Sequence, residues 1–388
     1  MKKLANITDR LFGQPMFKIL SIAQQMEREG KRVIHFEIGD PNFDPPKIAI
    51  EAVIKAIQDG KNHYTNSMGL QELRSAIADY TERDLGFRPE IEQILVCPAN
   101  AIIDFCVRCV ANPGEQVLIP DPGFPTYRSV LDYNNIEPIG IPLLEINNFK
   151  MQSKDVQERI TDRTRLIILN SPQNPTGAVM DESDVLEIVK IAEENDLFIL
   201  SDEVYSKLIF DSTHFSPTVV DRCKERTILL KSFSKTYSMS GWRIGYAIGP
   251  VKVIEKMGLM LQTILSCLPA FTQIGAMAAL NDSLYTRNCL AELKIRRDLF
   301  VTGLNQINGI RCLEPKGAFY LFPFIEHTGM SSFEYCQRIL VEEGLCMLPG
   351  SSFGDCASGH MRLSFSNVTL TMISEALEKF DCFHKRHF

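Results

Sequence analysis

Six uninterrupted apolar, β-branched runs, at residues 93–97, 116–120, 166–170, 197–201, 227–231 and 244–248, set the first limit on what this chain can fold into. Strands buried on both faces read as continuous apolar runs, whereas a sheet with one wet face alternates. Stretches of helical period separate most of the runs. In 185–195, for example, Val185, Ile188, Val189, Ile191 and Ala192 fall on one face with charges opposite. Strands alternating with helices predict an α/β fold: three layers, with a mostly parallel sheet covered by helices on both sides. One such sheet would occupy residues 46–284. Past Leu284 a charged helix is expected over 291–307, followed by shorter strands at 319–322 and 361–364, which read as a second, smaller α+β domain. A chain of 388 residues is long enough for two cores.

Composition removes several classes of function. A formal charge of -7 and the lack of any long Lys/Arg run argue against a nucleic-acid surface and favour small-molecule partners. No window approaches the roughly 18 consecutive apolar residues of a membrane span. Met1-Lys2-Lys3 could open a signal peptide, but Asn6, Thr8, Asp9 and Arg10 interrupt any apolar region, so the chain reads as untargeted and cytoplasmic. The eleven cysteines are scattered through apolar segments, as expected of reduced thiols. Cys106 and Cys109 form a lone C-x-x-C inside a helix expected over 100–111, and no second pair complements it. His384 and His387 lie in a charged tail that reads as disordered. No metal site is implied.

The chemistry is concentrated where the runs end. Lys231-Ser232-Phe233-Ser234-Lys235 closes one run, and Arg243 follows eight residues later. A lysine that forms a Schiff base needs a neutral amine beside a fixed electrophile, and two hydroxyls with a guanidinium can hold a phosphate-bearing aldehyde. That combination points to pyridoxal phosphate. Asn174-Pro175-Thr176-Gly177 and Asp202-Glu203-Val204-Tyr205 follow two other runs. Each is also good turn or helix-cap chemistry by itself. In an open α/β sheet, however, ligands sit beyond the carboxyl ends of the strands, and all three motifs fall there.

This order and spacing, over residues 38–365, resembles the fold-type I pyridoxal-phosphate aminotransferases of class I/II, the aspartate aminotransferase family. The resemblance implies a large cofactor-binding domain at 46–284 and a discontinuous small domain made of 1–45 and 285–388. It implies that Lys235 forms the Schiff base and then moves the substrate proton. Asp202 would pair with the pyridine nitrogen, and Tyr205 and Asn174 would bond the phenolic oxygen. Ser232, Ser234 and Arg243 would hold the phosphate, together with backbone amides at a helix start. At that start the chain reads Pro98-Ala99-Asn100-Ala101, without the glycines and hydroxyl usual in the family. Ala99, Asn100 and Ala101 can still supply amides. Phe124 stands where the family stacks an aromatic ring on the pyridine. Tyr64 resembles the tyrosine that reaches the phosphate from a neighbouring subunit, which implies a homodimer.

For the substrate, Arg362 matches the arginine that binds the α-carboxylate, with Asn174 and Gly39 beside it. A second carboxylate normally needs a second cation. Between Val251 and Leu290 the only arginine is Arg287, well past the segment where many aspartate enzymes carry theirs, and Asn100 stands where some relatives place a lysine. A neutral or aromatic L-amino acid is therefore expected as donor in preference to aspartate, with 2-oxoglutarate or pyruvate as acceptor. A cation from an unplaced segment, such as Lys18 or Arg28, would change this. The competing expectation on the same fold is a β-eliminating lyase.

Overall fold

The computed structural model describes residues 4–11, 16–325 and 328–388. The opening Met1-Lys2-Lys3 and part of the 1–45 segment, including the Lys18 side chain, lie outside the described residues. A short strand, β1 (Ile34–His35), pairs in parallel with Leu345–Cys346, tying the N-terminal segment to the C-terminal third. The chain then builds seven strands: β2 (Ile94–Val96), β3 (Gln116–Asp121), β4 (Glu137–Pro142), β5 (Thr164–Asn170), β6 (Phe198–Asp202), β7 (Thr227–Ser232) and β8 (Gly245–Ile248). They form one sheet in the order β2-β8-β7-β6-β5-β3-β4, an α/β architecture. All pairings are parallel except those of β8, which runs against both β2 and β7.

The six apolar runs are strands. Their continuity has a direct cause: Leu166 and Ile168 of β5 pack into one hydrophobic layer, while Ile167 and Leu169 pack into the layer on the other face. The helix Glu182–Glu194 covers that second face with Val185, Ile188, Val189, Ile191 and Ala192, and an Asp181/Asp184 capping box starts it. The seventh strand, β4, was not expected from the sequence. It pairs only with β3, is largely half-exposed, and carries Pro138 and Pro142, which have no N–H for a second ladder, and Gly140, which has no side chain to pack.

A separate core gathers Phe36, Phe300, Phe319, Tyr335, Phe365 and Phe380, and draws in Tyr205, Leu208 and Phe210 from the segment after β6. The charged helix begins at Ser283, earlier than the expected 291, and ends at Leu304. The disordered tail expected around His384 and His387 is corrected: Leu370–His387 is a helix. Tyr335 Oη lies 2.7 Å from the buried His384 Nε2, and the other ring nitrogen is 2.9 Å from the Asn308 carbonyl, so both polar ends are satisfied in the core.

Candidate active site

The carboxyl ends of β5, β6 and β7 open on a cavity of about 260 Å³, lined among others by Gly39, Ala99, Asn100, Phe124, Asn174, Asp202, Tyr205, Ser232, Ser234, Lys235, Arg243 and Arg362. Strand pairing explains the convergence. Asn170, Asp202 and Leu230 are register partners across the three strands, so the residues that follow them emerge side by side. Tyr64 does not join this set within one chain: its side chain is 88% exposed. Ala101 does not line the cavity, although its amide is among the first in the helix Ala99–Val110. Arg28, on the helix Met16–Arg28, bonds Gln25 and is not in the lining.

Lys235 lies in the one-turn helix Phe233–Thr236, which Ser232 caps by accepting from the Ser234 amide. Its Nζ donates to the Gly39 carbonyl at 2.6 Å. Burial draws the amine down to about 8, against an upward pull from Asp40, with Arg362 and Arg243 adding to the depression. A fraction of the amine is therefore neutral near neutral pH, as a nucleophile or base requires. The Ser232 and Ser234 hydroxyls lie 3.0 Å apart at the start of this turn. Arg243, in a left-handed conformation with φ 54, donates to the Ser240 carbonyl at 2.7 Å.

Asp202 is 4% exposed, and burial raises its carboxyl to about 6. Two hydrogen bonds oppose that rise. Tyr127 Oη donates at 2.6 Å and the Val204 amide at 3.3 Å. Tyr127 is a site residue that sequence reasoning missed. It stands three positions after Phe124, whose ring it meets edge-on at 5.6 Å, and that helical spacing was the only available signal. Tyr320 was missed as an individual residue. Its hydroxyl is 2.8 Å from that of Tyr205, and its ring lies against the Arg362 guanidinium.

Arg362 is fixed on several sides. The guanidinium carbon is 4.6 Å from the Tyr320 ring centre and 4.9 Å from that of Phe353. Nη1 donates to Asn174 Oδ1 at 3.2 Å and Nη2 to the Glu37 carbonyl. Its Nε is buried without a hydrogen-bond partner, an unfilled donor at the cavity wall. Such a fork matches a carboxylate. At the opposite end, Pro98 caps Ala99–Val110 with no side-chain acceptor, so the first amides of the helix have neither an intrahelical nor a cap partner. Unpartnered amides at a helix start favour an anion.

Residues 31–380 match the family described as Aminotransferase class I and II. The chain belongs to it. It is 35% identical to an aspartate aminotransferase of Pyrococcus horikoshii, covering 94% of this chain and 95% of that one. To aromatic-amino-acid aminotransferase 2 of Thermococcus litoralis it is 34% identical, covering 94% of each. Among solved structures, the alanine aminotransferase of Pyrococcus furiosus superposes with a TM-score of 0.94 at 30% identity, covering 99% of this chain and 100% of the other. The chain is thus a transaminase that depends on pyridoxal phosphate. Its cavity fits that cofactor: a depressed lysine amine for the aldehyde, a buried carboxylate for the ring nitrogen, and an uncapped helix start with two hydroxyls for the phosphate. The departure at Pro98 to Ala101 leaves the uncapped amides in place.

Proposed function

We propose that this aminotransferase moves the amino group of a neutral or aromatic L-amino acid, in preference to aspartate, to a 2-oxo acid such as 2-oxoglutarate or pyruvate. The cycle is ping-pong: the donor leaves as its oxo acid before the acceptor enters. Bound pyridoxal phosphate supplies an electron sink for the charge left when the α-proton departs. Lys235 is its covalent anchor and the base that moves the proton at the α-carbon. Asp202, steadied by Tyr127, holds the ring nitrogen. Tyr205 and Asn174 bond the phenolic oxygen; Asn174 turns its carbonyl to Arg362 and so keeps its amide N–H groups for that purpose. Ser232, Ser234, Arg243 and the amides of Ala99, Asn100 and Ala101 hold the phosphate, and Phe124 covers the ring. Arg362 orients the α-carboxylate, with Gly39 over the substrate.

The observation that carries this reading is the placement of the Lys235 amine, depressed to about 8, in one cavity with Asp202 and Arg362. The substrate preference rests on the lining. Among the described residues its cations are Lys235, Arg243 and Arg362, each already engaged, and much of the rest is Ile38, Ile103, Phe124 and Tyr320. A second carboxylate finds no free cation there.

The chain is read as two domains, 46–284 binding the cofactor and 1–45 with 285–388 forming the smaller one. It is further read as a homodimer. Ile48, Ile54, Ile57, Leu259, Ile264 and Leu265 are exposed, and the Tyr64 loop is pinned near the last of these by Thr65, which donates to Cys267 Sγ and Leu268 O. A second copy that covers these side chains would meet the exposed Tyr64, the residue proposed to reach the partner's phosphate. Eleven unpaired thiols fit a reducing cytoplasm.

The test is the visible spectrum of the purified enzyme with a panel of amino acids and no oxo acid. Conversion of a band near ~400 nm to one near ~330 nm marks the half-reaction and names the donor. Neutral or aromatic amino acids should convert it faster than aspartate, and Lys235→Ala should convert it with none. Faster conversion by aspartate refutes the preference, and pyruvate with ammonia released in place of the spectral change refutes transamination.

A further inference from the structure

Among the described residues, one group of histidine, cysteine and acidic side chains converges closely enough to hold a metal ion: His35, Glu37 and Cys346, whose ligand atoms lie within 4.8 Å of one another. The site is empty. Strand pairing assembles it. His35 of β1 is the parallel register partner of Cys346, and strand alternation places Glu37, two residues on, with His35. His35 Nδ1 is 2.8 Å from Glu37 Oε1, and its Nε2 is 3.1 Å from Glu27 Oε1.

Glu37 is the telling member. It is 1% exposed; one oxygen meets the His35 ring, and apart from that its carboxylate has only the Cys346 thiol against it. A thiol is a weak donor, so a buried carboxylate left with one is poorly satisfied, as the donor set of a metal site is before its ion binds. Cys346 beside it is fully buried. We propose that His35 Nδ1, Glu37 and Cys346 Sγ form a zinc site, with the remaining coordination position open. Nitrogen, oxygen and thiolate donors together select zinc over the hard cations magnesium and calcium. Glu27 completes the arrangement: with Nδ1 on the metal, the Nε2–H donates to its carboxylate, the usual outer partner of a metal-bound histidine. Binding displaces the Cys346 thiol proton and the proton shared by His35 and Glu37, both lost to solvent, with no change of oxidation state.

The site abuts the substrate arm without entering the reaction. The Glu37 carbonyl accepts from Arg362 Nη2, so a metal on the Glu37 side chain would hold that carbonyl in place.

Cobalt(II) is the probe, titrated into metal-free, cofactor-loaded enzyme. Expected are a single bound equivalent per chain, tetrahedral d–d bands to the red of the cofactor absorption, a thiolate-to-cobalt charge-transfer band, and loss of all three on adding zinc. Cys346→Ser should remove the charge-transfer band. His35→Gln, at a half-buried position and therefore gentler on folding, removes a direct ligand and should weaken cobalt binding by more than the about 10–100-fold that loss of an outer partner costs, while the cofactor band reports an intact active site. Failure of the wild-type enzyme to bind cobalt stoichiometrically, or spectra unchanged in both variants, would overturn the proposal.

Discussion

Replacing Tyr127 by phenylalanine isolates what holds Asp202 ready for the cofactor. Asp202 is pushed up to about 6 by burial, and the Tyr127 hydroxyl, 2.6 Å away, is the first of the groups pulling it down. A hydrogen bond to a charged acceptor contributes about 1.5–3 kcal/mol, or roughly 10–100-fold in the protonation constant. Phenylalanine keeps the ring and its contact with Phe124, so the loss is confined to the hydroxyl. The proposed pairing with the ring nitrogen needs Asp202 ionised. Cofactor affinity of the apoenzyme should therefore fall as pH drops through the Asp202 range, and the variant should begin to fall at higher pH. Near pH 6 the dissociation constant of Tyr127→Phe should exceed that of wild type by about tenfold, while near pH 8.5 the two should agree to within about twofold, since Asp202 is ionised in both. The assay is fluorescence titration of apoenzyme with pyridoxal phosphate across that range. Curves that run parallel at every pH would refute the argument, because a purely steric effect of the substitution carries no pH dependence.

Three further outcomes are expected. Arg362→Lys loses the planar fork and the stacking between Tyr320 and Phe353, and should raise KM for the amino donor about 10–100-fold with the cofactor band unchanged; steady-state kinetics showing less than about a threefold rise would contradict the carboxylate assignment. A Cβ at Gly39 would collide with the Tyr320 hydroxyl, so Gly39→Ala should displace the Tyr205–Tyr320 pair and lower kcat/KM by about tenfold or more, measurable with any accepted donor. Glu203, fully buried, lies 3.0 Å from His214 Nε2 and 3.3 Å from Lys231 Nζ, and its carboxyl is lowered from 4.5 to about 2 chiefly by His214 and Lys231, against burial. Its contribution to stability is complete above pH 4.5 and is lost as pH falls toward about 2. Glu203→Gln should cost about 1.5–3 kcal/mol at neutral pH, because His214 loses its carboxylate while Lys231 retains Asp84 Oδ2 at 3.4 Å, and should flatten the acid limb of a urea-denaturation series. An unchanged midpoint at pH 7 would show that the pair is neutral in effect.

Much of the fold was legible because its central strands are buried on both faces, and such strands write themselves as apolar runs. β4 escaped because an edge strand has one neighbour and tolerates Pro138, Gly140 and Pro142, which read as turn. The tail at His384 looked charged and loose because Lys385, Arg386 and His387 dominate the local sequence. The phenylalanines at 380 and 383 that bury its other face are spaced for a helix. Of the residues that line the cavity, those directly following apolar runs stand out in the sequence. Tyr127 does not, since its partner Asp202 lies 75 residues on. The cluster at His35, Glu37 and Cys346 was equally invisible, because Cys346 meets His35 only through pairing of two short strands.

The sequence by itself determined the α/β class, the order of Asn174, Asp202, Tyr205, Lys235 and Arg243 along the strand ends, and the amine-carrying chemistry they imply. These depend on period and on neighbours in the chain, which are local quantities. Only the tertiary structure decided the proton balance of the site. Whether Lys235 is depressed to about 8 and Asp202 raised to about 6 depends on how much water is excluded, and on which charges and hydrogen-bond donors arrive from segments up to about two hundred residues away, such as the Asp40 charge at Lys235 and the Tyr127 hydroxyl at Asp202. Desolvation and Coulomb energy are functions of distance in space, and a linear sequence does not contain those distances.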